Sequence, residues 1–83
     1  MSALTVAVIS PERTVFEGTA DSVVAPAHDG EVGILAGHAP MLTLLGEGVL
    51  RIGGSVSVRV RGGFVQVADN VVRVVTESAE TLG

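Results

Sequence analysis

No cysteine occurs anywhere in the 83 residues, so neither a disulfide nor a thiolate metal site can hold this chain together. A domain of this size is near the lower limit for a self-sufficient apolar core, so packing or a partner must replace the covalent staple. Lysine is also absent. The five basic residues are all arginines, scattered along the chain, and nine acids bring the net charge to −4. Phosphate-binding surfaces want clustered cations and single-strand binders want stacking aromatics, so with 2% aromatics nucleic acid is excluded as a partner. The missing lysine also rules out a biotinyl or lipoyl carrier domain, which is modified on a lysine at a hairpin tip. Despite a mean hydropathy of +0.57, no stretch approaches the roughly 20 consecutive apolar residues of a spanning helix. Met1-Ser2-Ala3 leads straight into a strand pattern with no basic or apolar leader, so no signal peptide and a soluble protein are expected.

What the chain does have is valine, at sixteen positions within a 47% hydrophobic composition. β-Branched side chains are stiff at χ1 and suit a pleated surface, so the composition points to sheet. Leu4, Val6 and Val8 alternate with Thr5 and Ala7 until Ser10-Pro11-Glu12, where proline cannot donate to a ladder. Thr14 to Gly18, Asp21 to Pro26, Gly30 to Leu35 and Val49 to Ile52 read as further short strands. Val56, Val58 and Val60, with Ser57, Arg59 and Arg61 opposite, form the clearest half-buried one. Gly53-Gly54, Gly62-Gly63 and Asp69-Asn70 read as two-residue turns, enclosing strands at Phe64 to Ala68 and Val71 to Thr76. One short helical turn is expected near residues 39–45, with Pro40 at its start and Gly46 at its stop. The expected fold is all-β: one domain over residues 1–83, an antiparallel β-sandwich of about eight to ten short strands.

Val71, Val72, Val74 and Val75 put apolar groups on both faces of one strand, as do Val23 with Val24 and the Met41-Leu42-Leu44-Leu45 cluster. So small a domain cannot bury them all, and surplus apolar surface marks an interface.

The segment Ala27 to Leu45 departs from this plain strand pattern. It holds three glycines, a proline, both histidines and two acids. His28, Asp29, Glu31 and His38 are ligand-type residues, but their spacing matches no metal motif, and a ring bonded to nearby backbone is the simpler reading of His38. No nucleophile, base and orienting group recur in a hydrolase order. Gly30, Gly33 and Gly37 do not precede a helix with a lysine behind it, so they read as structural turn positions rather than a phosphate cradle. No catalytic residue, metal or cofactor is expected, and Asp29-Gly30-Glu31 reads as a solvated hairpin tip.

Gly30-Glu31-Val32-Gly33-Ile34-Leu35-Ala36-Gly37-His38-Ala39-Pro40-Met41-Leu42 resembles the signature of the epsilon subunit of F-type ATP synthases, within its N-terminal β-sandwich. Ile9 to Gly18 resembles that family's first hairpin, Asp21 to Pro26 its next strand, and Gly62 to Val67 with Asn70-Val71-Val72 its last hairpin. Ala36 stands where the family usually has proline. The resemblance does not extend to the C-terminal helical hairpin in which most members continue, so neither inhibition of ATP hydrolysis nor ATP binding is carried over.

The resemblance implies a noncatalytic rotor subunit that links the gamma subunit to the c-ring of a proton-translocating membrane sector. It implies c-ring contact by His28, Asp29, Gly30 and Glu31, and gamma contact by Ser10, His38, Ala39, Pro40, Met41, Leu42 and Thr43. It also implies a peripheral place on the cytoplasmic face of the bacterial inner membrane, or the equivalent organellar face. The residues alone leave a generic protein-interaction module open as the alternative.

Overall fold

The computed structural model describes residues 3–83; Met1 and Ser2, where the signal-peptide reading begins, lie outside the described residues. Eight strands follow one another: β1 (Leu4–Ile9), β2 (Thr14–Ala20), β3 (Ser22–Ala27), β4 (Gly30–Leu35), β5 (Met41–Leu44), β6 (Glu47–Ile52), β7 (Val56–Ala68) and β8 (Val71–Thr81). They form one hydrogen-bonded network in the order β2-β1-β8-β7-β6-β3-β4, with β5 also on β7.

The length of β7 decides the architecture. Its thirteen residues would span roughly 40 Å if straight, but the longest dimension of the molecule is 31 Å, so the strand must bend. It bends at Gly62-Gly63, with φ of +73° and +109°. Before the corner β7 pairs with β6, through Val56 to Arg61; after it, Phe64 to Val67 pair with β5. β8 follows β7 through both halves. The β7–β8 ribbon therefore belongs to two layers: an A layer of β5, β7, β8, β1 and β2, and a B layer of β8, β7, β6, β3 and β4. Leu4, Val6 and Val8 of β1 share a single core cluster with Val23, Ile34 and Leu50 of β3, β4 and β6, which an unfolded sheet would hold far apart.

A side chain at the corner has no room. A Cβ on Gly63 would overlap the carbonyl oxygen of Val75, and one on Gly62 would stand 2.9 Å from a carboxylate oxygen of Glu77. Thr76, only 1% exposed, closes the corner from the other strand. Its hydroxyl is 2.9 Å from the Ser78 carbonyl and accepts the Arg61 N–H at 3.3 Å, so a buried polar group is satisfied where the ladder is interrupted.

Four local expectations are corrected. Residues 39–45 make no helical turn: Met41–Leu44 is the strand β5, because so short a helix cannot hold itself while the free edge of β7 takes up its backbone groups. Gly62-Gly63 is not a hairpin turn but a bend inside one strand. Gly33 lies within β4, paired with Val24 and without a positive φ, so it is no turn residue. Among the described residues every strand pairing is antiparallel except that of β1 with β8, whose distant positions in the chain let them run the same way. Asp69-Asn70 is a two-residue turn with both φ positive, the conformation that matches strand twist in a hairpin.

Gly63→Ala should cost roughly 3 kcal/mol, the sum of left-handed backbone strain and a forced shift of β8. Gly33→Ala, with open space around it, should stay within about 0.5 kcal/mol. Urea unfolding of the two variants checks both values.

Candidate functional site

Register brings four apolar side chains into one line on the outer face of the A layer. Leu44 pairs with Phe64, Phe64 with Val75, and Val75 with Ile9. Paired residues on adjacent strands project from the same face, so the row crosses three strand spacings, roughly 14 Å. The alternate residues Leu45, Val65, Val74 and Val8 are buried. Leu44 is 64% exposed and Phe64 37%, Ile9 and Val75 are half-buried, and Met41 packs against the core. Leu42, 68% exposed, and half-exposed Val71 extend the apolar surface. A shallow groove bounded by Pro40, Leu42, Gln66 and Ala68 runs beside it.

The outer face of the B layer is of opposite character. Arg59 pairs with Glu80, Glu47 with Arg61, and Arg51 lies between Val24 and Ser57. Three of the five arginines thus alternate with acids there, which keeps that face solvated.

The c-ring residues implied by the resemblance sit together at the tip of the β3–β4 hairpin. His28 and Asp29 form the turn, Gly30 opens β4 with a φ of +128°, and Glu31 follows; all four are exposed. A carboxylate oxygen of Glu31 lies 3.3 Å from Arg51, an ion pair in which both side chains remain half in solvent. The tip is not free-standing: the His28 N–H donates to the carbonyl of Leu44, the end of the apolar row, and the Gly46 N–H donates to that of Pro26.

The residues implied for gamma contact are divided. His38, Ala39 and Pro40 form the loop before β5, and Met41, Leu42 and Thr43 form its first three residues. Gly37, with φ of +87°, turns the chain into this loop. The His38 ring donates from Nδ1 to the Ala39 carbonyl at 2.7 Å, the backbone-bonded ring expected from the sequence. Leu42 is mostly in solvent and lies outside the core cluster. Ser10 stands apart, beyond the β1 end of the row. It is only 8% exposed, and its hydroxyl donates to the Arg13 carbonyl within the β1–β2 turn. Its neighbour Ile9 is the side chain that faces outward.

Ile9, Leu44, Phe64 and Val75 as a row were missed by the sequence reading. The two-faced valine pattern of β8 signalled surplus apolar surface, but not which strands would line up. His28, Glu31 and His38 do not converge, and among the described residues no three His, Asp or Glu side chains gather into a metal-holding group. A cavity of about 400 Å³ lies between Phe16, Asp21, Ile52 and Ser55, with Asp21 the one acid that lines it among the described residues.

Residues 3–82 match the model of the ATP synthase delta/epsilon chain β-sandwich domain. The chain belongs to that family. The ATP synthase epsilon chain of Synechococcus sp. (strain JA-2-3B'a(2-13)) is 45% identical over 80 residues, covering 93% of this chain and 58% of the relative. That of Nostoc sp. (strain PCC 7120) is 44% identical over 82 residues, covering 93% and 60%. This member of the delta/epsilon family therefore spans about three-fifths of the length of those relatives. A chain from the Euglena gracilis mitochondrial ATP synthase OSCP/F1/c-ring assembly has the same fold, with a TM-score of 0.88 at 22% identity over 98% of this chain and 54% of that one. A chain from the Tetrahymena thermophila mitochondrial ATP synthase central stalk/c-ring follows at 0.77 and 19%, over 95% and 66%. No helix among the described residues is long and apolar enough to cross a membrane.

Arg51→Gln should change global stability by less than about 1 kcal/mol, since an exposed ion pair is screened by water. Any difference should fade in 1 M salt, where the Debye length is about 3 Å. Thermal unfolding at two salt concentrations measures it.

Proposed function

We propose that this β-sandwich is a noncatalytic rotor component of a proton-translocating F-type ATP synthase, docking on the gamma subunit and resting its β3–β4 tip on the c-ring. The apolar row Ile9–Val75–Phe64–Leu44 carries the reading. It is a line of outward-facing core-type side chains on the A face, with Leu44 and Phe64 exposed and Ile9 and Val75 half-buried, while the B face carries charge. Aligned apolar side chains rimmed by polar ones suit a long-lived protein contact. The β5 residues Met41, Leu42 and Thr43 flank the row, and we assign them with it to the gamma contact. His38, Ala39 and Pro40 would reach gamma from the far end of β5, and Ser10 only through its neighbour Ile9.

The acidic tip suits a partner with basic polar loops. The His28–Leu44 hydrogen bond ties the tip to the end of the apolar row, so the two proposed contact surfaces are directly connected. Relatives named as ATP synthase epsilon chains, and structural neighbours in F1/c-ring and central-stalk assemblies, support the placement. The protein would lie peripherally at the membrane, held there by its partners.

Leu44→Asp replaces an exposed side chain, so it should leave the fold intact and weaken binding to gamma at least about 10-fold, as loss of an interface anchor does. Calorimetric titration of purified gamma checks this; unchanged affinity would overturn the assignment of the row. Glu31→Lys should weaken attachment to the c-ring at low salt. Equal retention of both proteins on immobilised c-ring would remove Glu31 from that contact.

A further inference from the structure

We infer that Asn70 is a positioning residue for the partner-binding loop, a role that rests on the gamma-binding reading above. The Gly37 N–H donates to the Asn70 side-chain oxygen at 2.7 Å, across thirty-three positions of sequence. Gly37 begins the loop that carries His38, Ala39 and Pro40 to β5. The loop's other bonds are local: the His38 N–H donates to the Leu35 carbonyl and the His38 ring to the Ala39 carbonyl. Asn70 thus supplies the side-chain tie between this loop and a distant part of the sandwich.

Asn70 is itself firmly placed. It occupies the second position of the β7–β8 turn at φ +63°, a left-handed conformation that asparagine tolerates better than most residues. Its carbonyl accepts the Thr5 N–H at 2.8 Å, which anchors it to the start of β1. One residue therefore joins β1, the β7–β8 turn and the loop before β5. The consequence is preorganisation: a loop held in place before contact loses less conformational freedom on binding, so the tie acts through affinity rather than through the fold.

The test separates the side chain from the backbone it sits on. Asn70→Gly keeps the positive-φ turn and deletes the acceptor; Asn70→Asp keeps both turn and acceptor. In Asn70→Gly the Gly37 amide should exchange with solvent about 10-fold faster and gamma should bind about 3- to 10-fold more weakly, in keeping with one lost hydrogen bond, with the unfolding midpoint near that of the wild type. Asn70→Asp should restore Gly37 protection and affinity. Wild-type affinity in Asn70→Gly, or failure of Asn70→Asp to restore it, overturns the inference. A wild-type protein with no affinity for gamma sinks the functional reading itself, an outcome visible before any variant is compared.

Discussion

The bend of the β7–β8 ribbon at Gly62-Gly63 is the constraint on which the molecule depends. A chain this short cannot supply two independent sheets with enough strands to enclose a core, so it uses its two longest strands twice. That requires the pair to turn sharply without breaking, in a space where the Val75 carbonyl already occupies the position of a side chain. Glycine solves the steric problem, and the buried Thr76 hydroxyl solves the polar one by bonding backbone groups that the bend takes out of the ladder. With the layers joined this way, Val58, Val60, Val65 and Val67 of one strand all enter the same core.

The corner also explains why the outer faces differ. It carries the second half of β7 away from β6 and into register with β5, which sets Phe64 beside Leu44. β8, continuing past the corner, sets Val75 between Phe64 and Ile9. The first half of β7 has Ser57, Arg59 and Arg61 at its outward positions, so the B face is charged over the same ribbon. A stiff body with one apolar and one charged face has a defined orientation towards its neighbours.

Much of this was legible beforehand. The alternation of Leu4, Val6 and Val8 and of Val56, Val58 and Val60 marked strands and their buried faces correctly, because a period of two reflects only the local pleat. The Asp69-Asn70 turn was legible for the same reason, its conformational demand being confined to two residues. Residues 39–45 were not. Pro40 and Gly46 bracket them as they would a helix, and propensity over seven residues is weak against a free strand edge offering hydrogen bonds. Gly62-Gly63 misled in the same way: a pair of glycines indicates that the backbone does something unusual, but not whether the chain reverses or bends. Of the candidate site, the tip at His28 to Glu31 was visible because a turn gathers neighbours in sequence. The apolar row was not, since its four members come from four strands.

The amino-acid sequence by itself determined the all-β class, the unaided core of small branched side chains, the hairpin tip with its acids, and an excess of apolar groups that one small interior could not absorb. These follow from composition and from periodicities only a few residues long. The tertiary structure alone decided which of those groups would be left outside and how they would line up. Register between strands distant in the chain, and the direction in which a thirteen-residue strand bends, arise from packing the whole core at once.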